Sequence, residues 1–310
     1  MPTSMLSGRP VTAAIAAALI WGTSFPAMAL TLGPGVRADP FLLTALRMGL
    51  AALLATAVLL ARHRPLGRLL RNRWVWILAG SNALAFTLQH IGVSLNASSA
   101  KTALLVNTNL VFIAMLSVPI LGERFGRRKV AAVALALLGL VALTTGFDPR
   151  QLVAGTFTGD LLVLASAVAW VPFILGTKRA TAEIAPLDLT AAGLLVTAVL
   201  LAPTALFGDA AAFPAGALWG ALYLGLVVTF PPLLLYTYSM ARLPATVVTV
   251  LTFLEVLFAV VLGVVLLQES FGAAQALGGA LVLAGILLVA APSKEASVST
   301  TGLQESHRDR

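Results

Sequence analysis

The sequence predicts an all-α integral membrane protein whose ten transmembrane helices form two inverted five-helix repeats. Three observations carry this. Apolar residues make up 59% of the 310-residue chain against 10% charged, with a mean hydropathy of +0.97, which is more apolar surface than a soluble domain of this length can bury. Blocks of roughly 20 apolar residues, the length that crosses a hydrocarbon core at about 1.5 Å per residue, recur between charges, Pro and Gly. The segment from Ser117 to Leu143 is echoed 146 positions later, from Gly263 to Val289. That shift lays Glu123 on Glu269, Phe125 on Phe271, Gly126 on Gly272, Gly139 on Gly285 and Asn109 on Glu255.

The first repeat, residues 11–146, holds spans at Val11 to Leu32, Phe41 to Ala61, Trp74 to Val93, Lys101 to Leu121 and Val130 to Gly146. The second, residues 158–291, holds spans at Thr158 to Thr177, Asp188 to Phe207, Ala215 to Ser239, Ala245 to Leu267 and Ala274 to Ala291. Five is odd, so a copy of the unit sits upside down in the bilayer, a construction of secondary transporters. The first block follows Arg9 and ends near Ala27-Met28-Ala29, but it is too long for a signal-peptide core and has a partner in the sixth span. Residues 292–310 are polar, without apolar periodicity, and are expected to form a disordered cytoplasmic tail.

Loop charge gives the orientation. With the N-terminus inside, the inward segments collect 16 Lys and Arg: Arg9, the five between Arg62 and Arg73, the four between Arg124 and Lys129, Lys178, Arg179, Arg242, and Lys294, Arg308 and Arg310 in the tail. The outward loops hold three, Arg37, Lys101 and Arg150, and Arg47 lies within a span. The bias predicts a multi-pass protein of a bacterial inner membrane with both termini cytoplasmic. It also explains a net charge of +8 without nucleic acid, since the charges lie between hydrophobic blocks and not on one basic face. No cysteine is present, and His63, His90 and His307 are scattered, so no metal or other cofactor is expected.

WGTSF at Trp21 to Phe25, LGERFG and LQESFG with their downstream glycines, and Arg47 early in the second span resemble the EamA branch of the drug/metabolite transporter superfamily. The resemblance covers about Val11 to Ala291. It implies export of a small metabolite, amino acids among them, or of a drug, through a cavity between the halves by alternating access. The second half departs at Trp170, where AWVPF stands in place of WGTSF.

Candidate site residues are the polar groups that are costly at membrane depth. Glu255 lies mid-way along the ninth span with no charge partner in its own block, and such carboxylates mark ion or substrate pathways. It is the candidate proton carrier, against a plain interhelical hydrogen bond. Thr252 shares its helical face, and Asn109 takes the repeat-equivalent position. Trp21, Ser24 and Met28 share a face of the first span, with Trp170 in the sixth; Pro26 and Pro172, near repeat-related places in these spans, remove a backbone donor and are read as paired helix interruptions, candidate kinks or gates, against plain structural kinks. Pro231-Pro232 predicts a kink or gate in the eighth. His90, near an outer end, fits either a titrating gate or interfacial solvation. Arg47 fits either snorkelling or a substrate carboxylate. Glu123 and Glu269 are read as structural carboxylates at helix starts, and Gly139, Gly278, Gly279 and Gly285 as close packing.

The expected function is a secondary transporter, not an enzyme, moving an amino-acid-like or partly apolar metabolite, with protons as candidate coupling ion. The bilayer and a small molecule are its expected partners; the oligomeric state is not encoded legibly. A sugar-phosphate or nucleotide-type exchanger needs several cations facing the cavity, and only Arg47 lies within a span. An intramembrane enzyme needs paired acids, a Ser/His pair or a metal cluster, which the chain lacks. A channel is disfavoured by the inverted repeat.

Overall fold

The computed structural model describes residues 8–32, 36, 38–95, 105–123, 126–150, 156–209, 213–267 and 272–290. Lys101, Glu269, Phe125, Phe271 and the tail fall outside these residues, as does the side chain of His90. The described residues form α1 (Arg9–Gly22), α2 (Ser24–Leu32), α3 (Pro40–Ala61), α4 (Leu66–Leu69), α5 (Arg73–Leu95), α6 (Asn109–Leu121) and α7 (Arg127–Thr145). They continue as α8 (Phe157–Ala180), α9 (Pro186–Leu201), α10 (Ala215–Leu222), α11 (Phe230–Met240), α12 (Ala245–Thr252), α13 (Leu254–Leu267) and α14 (Ala273–Ala290), with no strand among them.

Seven stretches are long and apolar enough to cross a membrane: Arg9–Met28, Pro40–Ala61, Arg127–Thr145, Phe157–Ala180, Pro186–Phe207, Ala215–Met240 and Ala245–Leu266. Leu105–Leu121 and Ala273–Val289 are shorter apolar helices. α5 has the length, 23 residues, but Ser81, Asn82, Thr87, Gln89 and His90 dilute its apolar character. The outward side chains of these helices are apolar, among them Leu53, Met115, Val199, Val265 and Leu287, all more than half exposed. A surface of that kind is stable against lipid tails and not against water, so this is a multi-pass membrane protein.

Helix starts follow local chemistry. Asp39 accepts hydrogen bonds from the Phe41 and Leu42 N–H groups, both at 2.9 Å, with Pro40 in the first turn of α3. α9 shares only the proline of that start, Pro186, 146 positions after Pro40, and Ala185 before it provides no side-chain cap. The Thr156 hydroxyl accepts from Gly159 N–H at the start of α8.

Three of the interruptions have beside them a hydroxyl bonded to a carbonyl three residues back. α1 and α2 meet at Thr23, whose hydroxyl donates to the Ile20 carbonyl at 2.6 Å, while Ser24 donates to Trp21. Pro26, four residues after Gly22, supplies no N–H to that carbonyl. At Thr108 the hydroxyl donates to Leu105, and beside the α12–α13 turn at Phe253 Thr252 donates to Thr249. A hydroxyl that takes a carbonyl three residues back competes with the helical ladder and bends it. Between α10 and α11 the chain widens into a π-turn over Tyr223–Val227. Pro231 and Pro232 offer no N–H to the carbonyls four residues earlier, which ends the helix before Thr229. The turns at Thr108 and Phe253 lie within one residue of each other under the 146-residue shift.

Pro172 behaves differently from the expectation that it pairs with Pro26 as a helix interruption. α8 runs unbroken through it, with the proline ring exposed. No Ser or Thr flanks Pro172 to draw off a carbonyl, and the Ser81 hydroxyl of α5 donates to Ala169 in the same turn.

Glycines allow the closest approaches. A Cβ on Gly139 would stand 2.6 Å from the Gly278 carbonyl oxygen, and one on Gly285 would stand 2.7 Å from that of Ala132, so α7 and α14 touch backbone to backbone. α1 packs on α11 and α13, α8 packs on α5 and α6, and α3 packs on α9.

Helix ends fall into two groups. In one, Glu123, Lys178, Arg179 and Arg242 line a wide groove with Gly122 and Pro244. There the Lys178 ammonium donates to the Met240 carbonyl, Arg179 to Ile120, and Ser239 to Pro10. In the other, Asp209 N–H reaches the Asp39 carboxylate at 3.4 Å and the Thr156 hydroxyl donates to Leu95.

Candidate functional site

The site is built where α3, α1 and the broken span α12–α13 meet the π-turn before α11. Gly225 lets α3 approach: a Cβ there would lie 2.8 Å from Leu50 Cβ and 2.9 Å from the Arg47 carbonyl oxygen. That closeness brings the Arg47 side chain inward, where its Nε donates to the Thr229 hydroxyl at 2.8 Å. Thr229 in turn donates to the Leu224 carbonyl, one that the π-turn leaves available. Arg47 is thus tied across the helices to Thr229.

Glu255 lies in the first turn of α13, where free backbone N–H groups and the helix dipole suit a negative group. Its own span offers no counter-charge, but α3 does: Arg47 and Glu255 are near enough to attract one another. They do not form a direct ion pair; the ion pairs seen among the described residues are Arg64–Asp188 at 3.6 Å and Lys129–Glu123 at 3.4 Å. Both Arg47 and Glu255 keep part of their side chains accessible. Gly22 seats α1 against this turn, since a Cβ there would lie 2.8 Å from the Glu255 carbonyl oxygen. The backbone of the turn that carries Glu255 is thus packed on α1.

Around these charges the other candidates divide. Trp21 stacks at a tilt of 52° on Tyr236, ring centroids 5.4 Å apart, and Met28 packs with Leu43 and Leu224. Ser24 and Thr252 lie close to the site, but their hydroxyl protons are committed to their own helices. Asn109 opens α6 directly after the Thr108 turn, half-buried. Trp170 belongs to a separate aromatic group, edge-on to Phe86 and Phe173 at 5.2 and 5.5 Å, with its Nε1 donating to Gln89 at 3.4 Å. Pro231 and Pro232 bear on the site by ending the helix beside Thr229. Among the described residues no group of three or more His, Cys, Asp and Glu is placed to hold a metal ion.

Glu123 does cap a helix, but not the one that follows it in sequence. The left-handed turn at Gly122, φ 66°, directs Glu123 across to α12, where it accepts from Ala245 N–H and from the Thr246 hydroxyl at 2.8 Å. Thr229, Gly225 and Tyr236 were not singled out by the sequence. A signal for Thr229 did exist, in a polar residue just ahead of Phe230-Pro231-Pro232.

Comparison with known proteins agrees with this architecture. The profile of the EamA-like transporter family matches the chain twice, over residues 9–145 and 157–291. A protein described as an uncharacterized transporter of Archaeoglobus fulgidus is 26% identical over 280 residues, 88% of this chain and 94% of its own. A probable terminal-alkyne amino-acid exporter of Streptantibioticus cattleyicolor is 28% identical over 288 residues, 92% of this chain and 94% of its own. A protein solved by crystallography superposes with a TM-score of 0.77 at 25% identity, covering 90% of this chain and 96% of that one.

Proposed function

This chain belongs to the EamA-like transporter family, and we propose that it is a ten-span secondary transporter of two inverted five-helix halves that exports a zwitterionic, amino-acid-like metabolite across the inner membrane. The paired contacts of α1 with α11 and α13, and of α8 with α5 and α6, support the inverted halves, because a two-fold relation between repeats exchanges those pairs. The doubled family match supports the same division. With α5, α6 and α14 counted beside the seven longer apolar stretches, each half makes five crossings.

The single observation that carries the substrate class is the separated pair of opposite charges, Arg47 and Glu255. An α-amino acid presents a carboxylate and an ammonium a few ångströms apart. A guanidinium and a carboxylate held near each other without direct contact offer one partner to each. Tyr236 and Trp21 supply an apolar wall beside them. Glu255 is also the group suited to carry a proton in exchange, since the substrate's ammonium and a proton compete for one carboxylate. Likeness to the amino-acid exporter of S. cattleyicolor supports the same class. Exchange of sugar phosphates fits less well: Lys178, Arg179 and Arg242 are engaged with backbone carbonyls at the charged end of the fold and do not stand beside Arg47.

Counterflow in proteoliposomes tests the reading. Vesicles loaded with neutral amino acids should take up radiolabelled amino acid in a saturable manner, and Arg47→Ala should abolish it. Counterflow of a sugar phosphate, with none of any amino acid, would overturn the proposal.

A further inference from the structure

The 146-residue shift relates α3 to α9 residue by residue: Pro40 to Pro186, Leu43 to Leu189, Thr44 to Thr190, Ala45 to Ala191, and Arg47 to Gly193. It also lays Thr229, the partner of Arg47, on Ala83, next to Asn82. Where one half holds a guanidinium against a hydroxyl, the other has a glycine and an alanine, with Asn82 beside the alanine. The structure leaves a cavity there. It lies between α5, α8, α9 and α11, is lined by Asn82, Thr177, Thr190, Gly193, Thr197 and Thr237 among apolar neighbours, and gives the centre of a water-sized guest about 20 Å³. That is room for one small guest.

The lining is rich in acceptors. Asn82, Thr177, Thr190, Thr197 and Thr237 are each at most 4% exposed. Thr177 and Thr237 spend their hydroxyl protons on the Phe173 and Leu233 carbonyls, leaving only lone pairs. Thr197 accepts from the Asn82 amide at 3.5 Å. The Asn82 carbonyl oxygen and the Thr190 hydroxyl are buried with no hydrogen-bond partner. Buried polar atoms without partners are costly, and a guest that supplies positive charge or protons gives the acceptors among them a partner.

We propose that this cavity is a binding site for a monovalent cation of about the size of Na⁺, standing in one half where the Arg47 guanidinium stands in the other. Hard cations take oxygen ligands, and five of the residues around this space, Asn82 and the four threonines, carry a side-chain oxygen. No carboxylate lines it, which suits one charge and not two. Its role as a coupling-ion site rests on the transporter reading; the binding itself does not.

Thermal unfolding of the purified protein in detergent, at matched concentrations of sodium, potassium and choline chloride, tests it without any substrate. Na⁺ should raise Tm by a few °C over choline, since a ligand that favours the native state stabilises it. Thr190→Val and Asn82→Leu should both remove that rise, and Thr190→Val should leave Tm in choline the same or higher, because it deletes an unpartnered buried polar atom. Equal Tm in all three salts, the result of a site that holds an ordered water only, would overturn the proposal. So would a Na⁺ shift undiminished in both Thr190→Val and Asn82→Leu. Amino-acid counterflow that fails while the Na⁺ shift stands would refute the substrate reading alone.

Discussion

Arg47 and Thr229 are 182 positions apart in sequence and joined by a 2.8 Å hydrogen bond, made possible because Gly225 has no side chain to hold their helices apart. The bond brings a cation into the neighbourhood of Glu255. The site's charge balance is thus set by helix packing as much as by the charged residues.

Replacing Arg47 by Ala removes the donor to Thr229 and leaves Glu255 without its counter-charge. For a partly accessible group the expected loss is roughly 1–2 kcal/mol of stability. In an Arg47→Ala background Glu255→Gln should recover part of that loss, so a double-mutant cycle on Tm will show favourable coupling. Additive effects would mean that the two groups do not sense each other.

Gly225→Val places a side chain against Leu50 and the Arg47 carbonyl. Overpacking of this kind costs about 1–3 kcal/mol, and it should abolish transport by pushing α3 away from Thr229. Gly49→Ala, where a Cβ meets open space on the same helix, should leave Tm within a degree or two. Unfolding scans of both variants decide this.

Glu123→Ala deletes the acceptor for Ala245 N–H and Thr246 and releases Lys129. Loss of a helix cap costs about 1 kcal/mol. The chain contains no cysteine, so a single Cys at Leu243 can be followed without background. Its labelling rate should rise in the Glu123→Ala variant; an unchanged rate would show that this contact does not hold the charged end closed.

Substrate export coupled to proton entry through Glu255 should speed up when the receiving side is made acidic. Glu255→Gln should transport at the same rate with and without the pH difference. Dependence that survives in Glu255→Gln would assign the proton to another group.

Much of the architecture was legible because hydropathy and duplication are linear signals: the apolar blocks and the doubled family signature. Glu123 was legible as a capping group, but its target was not, since α12 lies 122 positions away. Arg47 could not be oriented from sequence because its direction depends on the π-turn at Tyr223–Val227. The prolines divided for a local reason. Pro26 follows Thr23 and Ser24, whose hydroxyls take carbonyls three residues back, and the Pro231-Pro232 pair follows a π-turn, whereas the helix continues through Pro172. Ser24 and Thr252, polar on the right faces, turned out to hold their own backbones.

Inversion of the two halves around the Arg47–Glu255 site is tested most directly by sidedness. In intact cells, single cysteines at Gly67, after two crossings, and at Leu206, after seven, are probed with a membrane-impermeant maleimide. Gly67 is free of neighbours, and Leu206 is 86% exposed. Inverted halves predict that Leu206→Cys reacts from outside while Gly67→Cys reacts only after the cells are opened; reaction of both from the same side would contradict the account.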